Sequence, residues 1–118
     1  MAGKLNNKVA LISGGATGMG GAASRLFAAE GAAVGIVDIN ANAGQAAVAE
    51  IEKAGGKACF VQADVSKAGD VTKAVEKVRQ TLGPITVLFN HAGSIIIKPF
   101  LDTTEADWDR LTDINVKS

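Results

Sequence analysis

Along the chain, short continuous apolar runs alternate with longer stretches in which apolar residues recur at helical spacing. The runs are Lys8-Val9-Ala10-Leu11-Ile12, Ala33-Val34-Gly35-Ile36-Val37, Lys57-Ala58-Cys59-Phe60-Val61 and Ile85-Thr86-Val87-Leu88-Phe89. Short apolar runs of this kind predict strands buried on both faces, as in a parallel sheet. The second, third and fourth close on Asp38, Gln62 and Asn90. Between the first two lies Gly21 to Glu30, rich in helix formers and free of proline. Ala43 to Lys53 predicts a second helix, with Val48 and Ile51 marking its apolar face and Gly55-Gly56 stopping it. A third helix is expected from a cap at Ser66 to about Leu82, with the stripe Val71, Ala74, Val75 and Val78, and Gly83-Pro84 ends it. After a loop from His91 to Asp102, a last helix capped near Thr103 or Thr104 carries Trp108, Leu111 and Ile114 on one face.

Strands joined through helices need crossover connections, which give a parallel sheet with helices on both faces. The expected fold is therefore α/β, a Rossmann-type doubly wound parallel sheet, incomplete, with four strands in the order 3-2-1-4. Its switch point falls between the first and fourth strands, where ligands bind beyond the carboxyl ends. The loop after the first strand and Asn90-His91-Ala92-Gly93 both fall at that edge. No internal repeat or linker interrupts the pattern.

Composition narrows the partners. A chain of 118 residues makes one domain at most, and 47% apolar with 20% charged residues is the balance of a globular protein. Twelve basic and twelve acidic residues cancel, so no net field favours nucleic acid or an anionic membrane. The first residues lack a signal-peptide core and no segment is long enough to span a bilayer, so a cytoplasmic location is expected. Cys59 is the only cysteine, which excludes an intrachain disulfide or a cysteine metal cluster, and no metal site is expected. The chain contains no tyrosine and a single histidine, His91.

The candidate chemistry starts at Ser13-Gly14-Gly15-Ala16-Thr17-Gly18-Met19-Gly20, between the first strand and the first helix. Gly18, Gly20 and Ala23 meet the dinucleotide spacing G-x-G-x-x-G/A, and Gly14 adds a further position. Small residues there let a phosphate approach the backbone N–H groups at the helix start. No Lys-Ser or Lys-Thr pair follows, which disfavours a P-loop, and a tight turn without a ligand is the plain alternative. Asp38 closes the second strand about 20 residues past the loop, where an acid hydrogen-bonds the adenine ribose. A carboxylate there repels the 2′-phosphate of NADP, and Ser13 to Gly21 holds no Lys or Arg to attract one, so NAD is expected over NADP. The alternative for Asp38 is an ordinary strand-end aspartate.

Together these residues resemble the short-chain dehydrogenase/reductase family over essentially the whole chain. Gly14, Gly18 and Gly20 match its cofactor motif, with Ser13 where the family usually has threonine. Asp64-Val65 matches its acidic-apolar pair after the third strand, which implies contact with the adenine ring. Asn90-His91-Ala92-Gly93 resembles its Asn-Asn-Ala-Gly motif, and Asn115 matches the asparagine of the last helix, which in the family supports a proton relay through a bound water. The resemblance implies Gly14, Thr17, Gly18, Met19, Gly20, Asp38, Ile39, Asp64, Val65, Asn90, Ala92 and Gly93 as cofactor-binding residues and Asn115 as a catalytic one. It implies hydride transfer between NAD(H) and a small secondary alcohol or its ketone, in a parent enzyme that is a homo-oligomer.

Departures qualify this. His91 replaces the motif's second asparagine; it is an acid-base candidate by residue type, or else a polar loop residue bonded to the backbone. Cys59 is expected as a small core residue, Trp108 as a packing residue, and Glu76, Lys77 and Arg79 as a solvated helix face. The family's Tyr-Lys pair and catalytic serine normally lie beyond the helix that carries Asn115. Without a tyrosine the pair cannot be present, and Ser118 follows too soon to be that serine. The expectation is that residues 1–118 are the NAD-binding portion of a single domain whose catalytic half is absent. They would bind cofactor without turning it over. A free-standing non-catalytic nucleotide-binding module is the alternative, and a methyltransferase is a third possibility that Asn90-His91-Ala92-Gly93 argues against. Val87, Leu88 and Phe89 are expected to expose an apolar sheet edge that favours self-association. Ser94 to Leu101 either borders the substrate or packs beneath the last helix.

Overall fold

The computed structural model describes residues 3–117, so Ser118, and the expectation attached to it, lies outside the described residues. Four strands alternate with four helices: β1 (Val9–Ser13), α1 (Gly18–Ala29), β2 (Ala33–Asp38), α2 (Ala41–Lys53), β3 (Lys57–Gln62), α3 (Ala68–Leu82), β4 (Val87–Asn90) and α4 (Glu105–Thr112). The sheet is parallel throughout in the order β3-β2-β1-β4. This is the Rossmann-like α/β arrangement that the alternating runs predict. Register places Ser13 beside both Val37 and Asn90, and Asp38 beside Gln62, so the strands end together on one edge.

Strand side chains alternate between the two faces. Ala10, Ile12, Val34 and Ile36 pack with Ala47 and Ile51 of α2, and with Ala23 and Phe27 of α1. Val9, Leu11 and Val37 pack on the other face with Ala74 and Val78 of α3. Gly35 is what lets α3 lie so close, since a Cβ there would stand 2.6 Å from a methyl of Val78. Cys59 is half-buried against this second face, and burial pushes its thiol pKa up, against a smaller lowering by Lys77.

Besides the start of α2 at Ala41 instead of Ala43, four details differ from the sequence expectations. Lys67, not Ser66, precedes α3 at the cap position, because the Ser66 hydroxyl donates to the Asp64 carboxylate at 2.5 Å. β4 begins at Val87 instead of Ile85. Beside it, the Thr86 hydroxyl accepts the Val9 N–H at 3.0 Å, at the point where the ladder starts. Trp108 is 69% exposed and packs on nothing in the core, because α4 buries none of its residues. Finally, only part of the β4 edge is exposed: Leu88 is open to solvent, whereas Val87 and Phe89 are half-buried on the α1–α2 side. Phe89 lies 6.3 Å from Phe27, ring centre to ring centre.

Candidate functional site

The first wall of the site is the turn from β1 into α1. Gly14 (φ +65°) and Gly18 (φ +59°) occupy the left-handed region that side chains resist. A Cβ on Gly20 would lie 2.0 Å from the Gly14 carbonyl oxygen, so the helix start can close on the turn only with glycine there. Ser24, buried in the second turn of α1, donates to the Gly15 carbonyl at 2.8 Å, and its oxygen lies 3.0 Å from that of Gly20. Asn40 and Thr104 cap α2 and α4 through their side chains, but Thr17 makes no such bond at α1. The first N–H groups of α1 are thus not taken by a side-chain cap.

The ends of β2 and β3 supply the acids. Asp38 accepts the Ala16 N–H at 3.2 Å and the Asn40 N–H at 3.0 Å, one on each carboxylate oxygen. Each oxygen keeps a lone pair, so the group can still accept from ligand hydroxyls. Ile39 is exposed, and its carbonyl accepts from the Gln62 amide at 3.1 Å. Asp64 accepts from both the hydroxyl and the N–H of Ser66. These bonds hold its carboxyl below the usual carboxylate range, the hydroxyl foremost; partial burial opposes them, and the charges of Lys67 and Arg110 add to the lowering.

Ser13 joins this wall to the next. Its buried hydroxyl oxygen accepts the His91 and Ala92 N–H groups, both at 3.0 Å, and the hydroxyl donates to Asn90 Oδ1 at 3.3 Å. Beyond Gly93, Asn115 sits in a π-helical turn, Asp113–Lys117, that continues α4. Its side-chain oxygen accepts the Ser94 N–H at 2.8 Å and its amide donates to the Ser94 carbonyl at 3.0 Å. A Cβ on Gly93 would stand 3.2 Å from that same Asn115 oxygen.

Gly14, Thr17, Gly18, Asp38, Ile39, Asp64, Val65, Ala92 and Gly93 line one crevice of about 390 Å³, a volume in the range of small-molecule sites. Met19, Gly20, Asn90 and Asn115, also named from sequence, do not line it. Met19 is exposed on α1, Gly20 is buried behind the turn, Asn90 is bonded to Ser13, and the Asn115 side chain is bonded to Ser94. His91 lines the crevice, and its ring contacts Phe89 at 5.1 Å while its N–H, not its imidazole, carries the bond to Ser13. Ser94, first residue of the segment expected either to border the substrate or to pack beneath the last helix, lines it too, as do Arg110 and Ile114, which were not singled out from sequence as binding residues. Arg110 and Ile114 are four apart on one helical face, a spacing that offers a signal once an apolar stripe is read together with its polar flank. Among the described residues no cluster of His, Cys, Asp or Glu could hold a metal, and no helix is long and apolar enough to cross a membrane.

Residues 8–118 match the short chain dehydrogenase family. The chain belongs to that family. It is 43% identical over 116 residues to a cyclopentanol dehydrogenase of Comamonas testosteroni, covering 98% of this chain and 46% of that protein. Among solved structures, a dehydrogenase/reductase from Sinorhizobium meliloti superposes with a TM-score of 0.92 at 38% identity, over 96% of this chain and 45% of that one. A blue fluorescent protein from a metagenomic library, in complex with NADPH, gives 0.88 at 39% identity, over 96% and 47% of the two chains. The chain therefore spans about half the length of the short-chain dehydrogenase relatives it matches. Its family is one of oxidoreductases that use nicotinamide cofactors.

Proposed function

We propose that residues 1–118 form the NAD-binding portion of a short-chain dehydrogenase that interconverts a small secondary alcohol and its ketone. The observation that carries the choice of NAD is Asp38: it ends β2, lines the same crevice as Gly14 and Gly18, and keeps lone pairs for ribose hydroxyls. The residues fit a dinucleotide. The turn has room only for backbone at Gly20, the α1 start lacks a side-chain cap, and Asp64 and Val65 line the far end where an adenine would sit. A second phosphate on the ribose would face the Asp38 carboxylate at close range, and like charges there disfavour it. NADPH is the cofactor bound in one structural relative, the blue fluorescent protein.

When bound, the nicotinamide supplies hydride acceptance and donation. This chain's part is to hold and orient it: Gly14 and Gly18 at the diphosphate, Asp38 and Ile39 at the adenosine ribose, Asp64 and Val65 at the base, and Ala92 and Gly93 along the opposite wall, which Asn90 anchors from behind through Ser13. Asn115, which the family resemblance marks for a proton relay, fixes the π-helical turn to Ser94 through its side chain. With no tyrosine in the 118 residues, the proton donor for ketone reduction comes from elsewhere in the full protein, and residues 1–118 alone bind without turnover. The same absence favours a second reading, a nucleotide-binding module without catalysis. Steady-state assay of the full protein with cyclopentanol decides between them. NAD-dependent ketone formation is expected, and NAD binding without any turnover of secondary alcohols establishes the module instead.

A further inference from the structure

His91 is the one histidine of the chain and stands where the family motif has asparagine. Its backbone is fixed by the Ser13 hydroxyl at 3.0 Å. Its ring tilts at 42° against Phe89, with centres 5.1 Å apart. On the other side, ring carbon Cδ2 comes within 2.8 Å of where a Gly20 Cβ would be, and 3.5 Å of where a Gly14 Cβ would be. The imidazole therefore fills the space that the glycine turn leaves empty. It is held from both sides, and among the described residues neither ring nitrogen is bonded to protein. Yet the residue is half-buried and lines the crevice. A polar ring fixed this firmly with its polar atoms unpaired is suited to a ligand, since ordering it without a partner brings no return in hydrogen bonding.

We propose that His91 is a cofactor-binding residue whose imidazole N–H donates to the diphosphate that the glycine turn cradles. This rests on the assignment of the crevice to a dinucleotide. Nε2 is bonded to Cδ2, the atom in contact with the turn, so a donor there lies at the edge of the phosphate cradle. An imidazole always offers at least one N–H, and a bond from it to an anionic oxygen is stronger than a neutral pair. The other charged groups of the crevice are Asp38 and Asp64, at the ends of β2 and β3, and Arg110 on α4.

The test compares adenosine, ADP and NAD as ligands of the full protein, unmutated and as His91→Phe, which keeps a ring against Phe89 and removes the donor. The expected result is about tenfold weaker binding of ADP and NAD with adenosine unchanged. Unchanged affinity for all three, or equal loss for all three, overturns the role of His91. Ring 15N resonances of the unmutated protein give an independent reading, including if the variant does not fold: ADP should shift them and adenosine should not, and no shift with bound ADP overturns the proposal. Failure of the unmutated protein to bind ADP or NAD at all removes the dinucleotide site itself, and the inference with it.

Discussion

The two walls of the crevice are built by different means. The wall of β1, its glycine turn and β2 stands on the core: every residue of β1 is buried, as are Gly20, Gly21 and Ser24 of α1. The wall that runs from Asn90 to Asn115 buries no residue of α4, and Ile97, Leu101 and Trp108 are exposed. Hydrogen bonds hold it in place: Ser13 at its root, the Asn115–Ser94 pair, the Thr104–Asp107 capping box, and the Lys98–Asp107 ion pair at 2.6 Å. The phosphate and ribose contacts proposed above would thus sit on a packed scaffold. The opposite wall is placed by a few polar contacts and opens at lower free energy.

The largest effect should come from disturbing the packed wall. Gly20→Ala sets a methyl 2.0 Å from the Gly14 carbonyl oxygen, and the backbone must move for it to fit. Loss of NAD affinity by more than about 100-fold is expected in a calorimetric titration, equivalent to about 2.7 kcal/mol. Next comes the junction of the two walls. Ser13→Ala leaves the His91 and Ala92 N–H groups without their acceptor, so a loss of about 2–3 kcal/mol is expected in urea unfolding, while Ser13→Thr restores most of it.

Breaking the polar wall alone should cost less. Asn115→Ala removes both bonds to Ser94, and about 1 kcal/mol is expected. Hydrogen exchange should quicken from residue 94 to 117 and stay unchanged in β1 and β2; uniform quickening would contradict the division between the walls. The smallest effect concerns Asp64. Its folded pKa is lowered, so its contribution to stability is present above the unfolded value of about 3.9 and is lost as pH falls through the folded pKa. Ser66→Ala removes the largest cause, and an NMR titration should then place the Asp64 pKa closer to the unfolded value.

The same contrast explains what the sequence revealed. β1 and β2 are continuous apolar runs between fixed turns, so their existence, order and the placement of Asp38 were legible from pattern alone. Around α4 the pattern misled: the Trp108-Leu111-Ile114 stripe has helical spacing, but periodicity names a face without naming what covers it, and Trp108 is exposed. Ser66 was read as a cap because serine favours caps, but the Asp64 carboxylate, two residues earlier, competes for its hydroxyl. Ser13 and Arg110 act through partners 77 or more residues and 46 residues away respectively, at Asn90 to Ala92 and at Asp64, a distance no local spacing carries.

On the proposed function, Asp38 makes the crevice an NAD site. The most direct test of this is a parallel equilibrium titration of the full protein with NAD and NADP, repeated with Asp38→Ala. NAD is expected to bind at least about tenfold more tightly than NADP, and the substitution is expected to remove most of that difference. Equal or tighter binding of NADP by the unmutated protein would contradict it.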